Sequence, residues 1–340
     1  METDLKEILS LVSLKIGYVS GKHKNVLLPP LNASANRGEL IAVIGRNGIG
    51  KSTLLRTLTG LQQPLGGEIF YFNQHIETYS RMELAKRVGY ISTEVIKVSN
   101  MSVYDLVSLG RYPYTNWIGK VEMKDQEVIS DALFKTSMSS FGKKFISELS
   151  DGERQKAMIA RILAQDTGIM IMDEPTAFLD VASKYEILHL MHQLSSESNK
   201  TIIFSTHDLQ MAINQSDKIW LILENELIEG APEDLMLSGA FDHLFDSSTV
   251  IFNSCDGTFS FRSDSARLIY IEGEGDKRYW TEKALTRAGF KISSERTIPY
   301  IILPFETNTQ WQYVSENQIQ QFNSIYDIIA FLNTMKKKAI

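Results

Sequence analysis

The chain has 340 residues, 43% of them hydrophobic and 22% charged, with a formal net charge of -6. Apolar content on this scale suits one main domain of about 220 to 250 residues plus a smaller one, and excludes a largely disordered chain. The acidic balance provides no overall attraction to a phosphate backbone, so no nucleic-acid partner is expected.

The amino terminus carries Glu2, Asp4, Lys6 and Glu7 and lacks the basic start and apolar core of a signal peptide. No run approaches the roughly 18 to 20 apolar residues of a spanning helix, so any membrane span is expected from a partner. Cys255 is the single cysteine, which fits a reducing compartment.

Along the chain, Val12 to Ile16 alternates in polarity and leads through Gly17, Tyr18 and a polar turn, Ser20 to Lys24, into an expected antiparallel strand pair. Glu39 to Ile44 is a continuous apolar run, the pattern of a strand buried on both faces, and a helix is expected over Lys51 to Leu61. Helical periodicity dominates Ser102 to Leu163, within an expected helical subdomain over about residues 95–165, with Val103, Leu106, Val107 and Leu109 on one face and a second helix from Ser150 to Leu163. Buried-strand patterns return at Ile169 to Asp173 and Thr201 to Ser205 around a helix over Lys184 to Ser196, a parallel βαβ unit. Lys218 to Leu223 and Leu227 to Glu229 read as a closing hairpin. The expected main domain covers residues 1–238.

Residues 239–340 carry strand-like runs at Ile251 to Phe252, Leu268 to Ile271, Tyr300 to Leu303 and Trp311 to Val314. A final helix is expected with Ser324 as cap, burying Ile325, Ile328, Ile329 and Leu332. These residues form a small α+β accessory domain, expected to serve regulation or dimer contact. Gly273-Glu274-Gly275 after a strand lacks the third glycine of a dinucleotide turn and is assigned to packing.

Two stretches carry chemistry by their own residue types. Gly45-Arg46-Asn47-Gly48-Ile49-Gly50-Lys51-Ser52, followed by Thr53, has the phosphate-loop spacing between a buried strand and a helix. Its glycines let backbone N–H groups turn inward around phosphate oxygens, Lys51 adds a full charge, and Ser52 can place its hydroxyl on Mg²⁺. Kinases, GTPases and many ATPases share this loop, so alone it specifies only nucleotide phosphate binding. The strand Gly168 to Met172 ends in Asp173-Glu174, at the edge where parallel sheets place ligands. Successive residues of a strand point in alternate directions, so Asp173 can reach a metal shell while Glu174 faces an attacking water. Leu149 to Gln155 opens a helix, with Ser150 at the cap and Glu153 three residues on.

Taken in order, Gly45 to Ser52, Leu149 to Gln155, Asp173-Glu174, Leu179-Asp180 and Thr206-His207-Asp208 resemble the ATP-binding cassette ATPase family over residues 10–235. The resemblance implies an α/β P-loop NTPase core: a mostly parallel sheet flanked by helices, with an antiparallel β subdomain and a helical subdomain. It implies ATP and Mg²⁺ as cofactors, and a head-to-tail homodimer in which each nucleotide lies between one copy's phosphate loop and the other's signature helix. Ser150, Asp151, Gly152 and Glu153 would then face the terminal phosphate across the dimer, and Asp180 would communicate with the opposite site. Glu174 and His207 would be catalytic, and Tyr18 would stack on adenine. Ser52, Asp173 and Thr93 would hold the metal, Thr93 standing where the family usually has glutamine, with Glu94 beside it.

Asp151, in place of the usual glycine, and Tyr104 to Tyr114 resemble the subgroup serving iron–siderophore, haem and cobalamin importers. That implies an integral-membrane permease, indirectly an extracytoplasmic substrate-binding protein, and a place on the cytoplasmic face of the cell membrane. A soluble cassette in DNA repair or translation would usually carry coiled-coil insertions or tandem cassettes, which are absent. Exporters often fuse the cassette to membrane helices.

Overall fold

In the computed structural model the described residues are 7–21, 23–93, 100–115, 121–245, 250–253, 258–261, 267–305, 309–316 and 318–338. They divide into two compact units, Met1–Asp246 and Ser247–Ile340. The division falls after the expected boundary at 238, because the turn Ala240–Leu244 buries Ala240 and Phe241 within the first unit.

The first unit opens with β1 (Glu7–Lys15), the hairpin β2 (Gly17–Ser20) and β3 (His23–Val26), and β4 (Leu31–Asn36). Then come β5 (Leu40–Gly45), α1 (Lys51–Leu58), β6 (Gly66–Tyr71), β7 (Gln74–His75), α2 (Arg81–Ala85) and β8 (Val88–Ile91). A helical stretch follows as α3 (Val103–Ser108), α4 (Met123–Lys135) and α5 (Asp151–Ala164). The unit continues through β9 (Ile169–Met172), α6 (Val181–Ser196), β10 (Thr201–Ser205), α7 (Leu209–Gln215), β11 (Lys218–Ile222), β12 (Leu227–Gly230) and α8 (Pro232–Leu237).

The central sheet has the order β12-β11-β5-β10-β9-β8, parallel throughout except for the antiparallel edge strand β12. Every residue of β9 and β10, and all but the last of β5, is buried, as a sheet covered on both faces requires. Ile41 and Val43 pack with Leu54, Leu55 and Leu58 of α1 and with the antiparallel sheet β4-β1-β6-β7 in one continuous core. That packing fixes the loop between β5 and α1 at the carboxyl edge of the sheet.

Two expectations were off in detail. α1 stops at Leu58 rather than Leu61, because Gly60 takes a left-handed φ of 72° that a helix cannot continue through. Leu109 does not share the buried face of Val103, Leu106 and Val107. There the chain tightens into a 3-10 turn, Leu109–Tyr114, which rotates Leu109 outward to 51% exposure. The same winding buries Arg111, whose Nε donates to Asp125 Oδ1 at 2.8 Å and whose guanidinium also reaches the carbonyl of Ala164 at 2.9 Å. Arg111 thus ties together α4, α5 and the turn after α3, the scaffold of the helical subdomain.

In the second unit β13 (Val250–Asn253) pairs with β14 (Thr258–Phe261). The chain then forms β15 (Arg267–Glu272), α9 (Asp276–Arg287), β16 (Phe290–Ile292), β17 (Tyr300–Ile302), β18 (Trp311–Ser315), β19 (Gln318–Phe322) and α10 (Ile325–Lys338). The last five strands make one mixed sheet, β16-β15-β17-β18-β19. Ile269, Ile271, Ile301 and Tyr313 share one face of it and pack against Leu285 of α9 and Ile328 and Leu332 of α10. Ser324 caps α10, accepting the N–H of Asp327 at 3.2 Å; Ile328 and Leu332 are buried as expected, whereas Ile325 and Ile329 are only half-buried. Among the described residues no helix is long and apolar enough to cross a membrane.

Candidate active site

The loop between β5 and α1 is shaped by its glycines. Gly48 and Gly50 adopt φ values of 80° and 116°, and no atom lies within 4 Å of where a side chain on Gly48 would begin. The backbone there faces open space. Gly50 caps α1 without a side-chain hydrogen bond, so the first-turn N–H groups, from Ser52 on, have no side-chain competitor for an anion. Ile49 anchors the loop to the core, whereas Asn47, Gly48 and Ser52 are exposed.

Lys51 is buried to 7% exposure and donates to the carbonyls of Gly45 (2.9 Å) and Arg46 (3.3 Å). Burial pulls its pKa below the ordinary lysine value, while the charges of Glu174 and Asp173 oppose that. The Arg46 side chain turns away from the loop, its Nε donating to the Leu244 carbonyl at 3.0 Å and its guanidinium meeting Glu224 at 3.1 Å. Tyr18 is 52% exposed, held by a 2.6 Å hydrogen bond between its hydroxyl and that of buried Thr53. Its ring is therefore outside the core and free to stack at the edge of the loop.

Asp173 and Glu174 follow β9. Asp173 is nearly buried and accepts a 2.7 Å hydrogen bond from Ser205 Oγ. Glu174 has a φ of 47°, a conformation costing a non-glycine residue about 1–3 kcal/mol, and its N–H donates to the same Ser205 Oγ at 2.8 Å. That backbone turn separates the two acids. The Glu174 carboxylate lies 3.1 Å from His207 Nδ1, and the His207 ring is 60% exposed. Ser205 was not singled out from the sequence, where it appears only as the polar last residue of an apolar strand.

A cavity of about 220 Å³ brings together Thr93, Asp151, Gln155, Asp173, Glu174 and Phe178. Glu94 lies outside the described residues. On α5, Ser150 accepts the N–H of Glu153 at 3.2 Å, and the Glu153 carboxylate accepts the N–H of Ser150 at 2.8 Å. That N–H holds the Glu153 carboxyl below its usual range. Asp151 pairs with Arg154 at 2.6 Å. Gly152 packs closely against α6, where a Cβ would crowd Ser183 Oγ at 2.9 Å. Asp180 caps α6 by accepting the N–H of Ser183 at 2.9 Å, the bond that chiefly lowers its pKa. The side-chain hydrogen bonds of Ser150, Asp151, Glu153 and Asp180 thus run to residues within five positions of them, and leave that end of the site open.

Residues 28–177 match the ABC transporter family, and residues 266–333 match the iron ABC transporter C-terminal domain. The ferric enterobactin transport ATP-binding protein of Escherichia coli is 32% identical over 233 residues, 68% of this chain and 84% of that protein. This chain belongs to the ABC transporter ATP-binding family. As a member it is an ATPase. The petrobactin import ATP-binding protein FpuD of Bacillus anthracis is 36% identical over 214 residues, 63% of this chain and 78% of that protein. A solved inward-facing metal-chelate type ABC transporter aligns with a TM-score of 0.61 and 28% identity, covering 71% of this chain and 89% of that one.

Proposed function

We infer that this ABC ATPase energises import of a ferric siderophore or a related metal chelate. The observation carrying this reading is the pairing of a cassette similar to siderophore-import ATPases with a carboxy-terminal match to the iron ABC transporter domain. In this reading the accessory residues from 239 onward adjust the cassette. An integral-membrane permease, an extracytoplasmic binding protein and a place on the cytoplasmic membrane face complete the assembly.

Phosphoryl transfer needs positioning and charge stabilisation more than covalent chemistry. Lys51 and the N–H groups of residues 45–53 bind the phosphates, and Tyr18 stacks on the base. The exposed Ser52 hydroxyl, the Asp173 carboxylate and the Thr93 hydroxyl are hard oxygen donors, which suit Mg²⁺. Bound there, Mg²⁺ would neutralise charge on the terminal phosphates. Glu174 orients the attacking water and receives its proton, while His207 hydrogen-bonds the terminal phosphate and Glu174 together. Ser150, Asp151, Gly152 and Glu153 of a second copy, with its Asp180, close the site from the opposite side.

Deleting this chain from its cells is expected to abolish uptake of a radiolabelled ferric siderophore or other metal chelate, with uptake of an unrelated sugar unchanged. Restoration by the wild type but not by Glu174→Gln would tie uptake to hydrolysis. If the deletion leaves ferric-siderophore, haem and cobalamin uptake intact, the substrate assignment is wrong.

A further inference from the structure

Ser205 is fully buried at the end of β10, where the parallel pairing of Phe204 with Met172 places it abreast of Asp173. A carboxylate can only accept and a peptide N–H can only donate, so the roles at this hydroxyl are fixed. Its one proton goes to Asp173 Oδ1 at 2.7 Å, and its oxygen takes the N–H of Glu174 at 2.8 Å. Asp173 Oδ1 is thereby held, which fixes the orientation of the carboxylate. The same oxygen secures the left-handed peptide that swings Glu174 towards His207.

We propose that Ser205 is a positioning residue for hydrolysis, one hydroxyl setting the orientation of the metal-binding carboxylate and the backbone that aims the water-orienting one. This rests on Asp173 being a metal ligand, as argued above. Partners of that kind behind a ligand typically change metal affinity by about 10- to 100-fold when removed. Ile202, Ile203 and Phe204 before Ser205 are buried and apolar, and the Ser205 hydroxyl is engaged by Asp173 and the Glu174 peptide.

The test uses the full chain with a non-hydrolysable ATP analogue, and Mn²⁺ as a spectroscopic probe read by electron paramagnetic resonance. Ser205→Ala and the near-isosteric Ser205→Cys are each expected to weaken Mn²⁺ binding by about tenfold or more. Nucleotide affinity measured without metal should stay unchanged, and Ser205→Thr should restore Mn²⁺ affinity. At saturating metal, kcat of the Ala and Cys variants should still be reduced, with KM for ATP unaltered. Mn²⁺ affinity unchanged in both variants would overturn the proposal, as would a loss that Ser205→Thr repairs in thermal stability but not in metal binding. Asp173→Asn serves as the separate control: if it leaves Mn²⁺ affinity intact, the ligand assignment itself fails, whatever the Ser205 variants do.

Discussion

Replacing Glu174 by glutamine is expected to lower the single-turnover rate of ATP hydrolysis by about 10²- to 10⁴-fold while leaving ATP bound. The substitution keeps the size of the side chain and its capacity to bond His207, and the Ser205 contact is made by the Glu174 peptide, not by the carboxylate. Only the acceptor for the water's proton is lost. Lys51 and the loop backbone are left untouched by the substitution, so binding energy is retained and turnover is not. With ATP no longer consumed, the variant should accumulate as a nucleotide-bound dimer in size-exclusion chromatography run with ATP. Hydrolysis by Glu174→Gln near the wild-type rate would remove Glu174 from its assigned role.

Lys51→Ala should fail at the preceding step. The Lys51 ammonium is buried and donates to the carbonyls of Gly45 and Arg46, close enough to Asp173 and Glu174 for both charges to support its protonation. Phosphate oxygens entering the loop would replace those carbonyls as acceptors, and hydrogen bonds to charged groups contribute about 1.5–3 kcal/mol each. Loss of one such bond weakens ATP binding by about 10- to 150-fold, since 1.4 kcal/mol is a factor of ten. The measurement is a nucleotide titration by fluorescence or calorimetry, with Lys51→Arg as a control that keeps the charge. ATP binding by Lys51→Ala with unchanged affinity would contradict the assignment of the loop. The two substitutions separate cleanly, one removing affinity and the other removing chemistry.

The central sheet was legible because strands buried on both faces leave continuous apolar runs, as in β5, β9 and β10, that need no knowledge of their neighbours. The phosphate loop was legible for a similar reason: its chemistry is carried by backbone conformation over a few consecutive residues. Features set by distant partners were not. Ser205 acquires its role only when β10 lies in register beside β9, 32 residues before it in sequence at Asp173. The loop motif places Arg46 at the phosphates, yet its guanidinium is held by Leu244 and Glu224, which lie 198 and 178 residues further along the chain. Leu109 was misplaced because helical periodicity assumes an unchanged winding, and Arg111 draws the chain into a tighter turn to reach Asp125. In each case a long-range polar contact overrode a local pattern.

The open side of the site bears most directly on the account. The polar side chains at the start of α5 and at Asp180 are engaged with near neighbours in the chain, and the proposed function has a second copy bring them to the nucleotide for turnover. The direct measurement is ATPase rate per chain against chain concentration, with molar mass followed by light scattering in the same cycling sample. The rate per chain should climb with concentration in step with the dimer fraction and approach zero where only monomer is present. Full-rate hydrolysis by a sample that stays monomeric throughout cycling would contradict it.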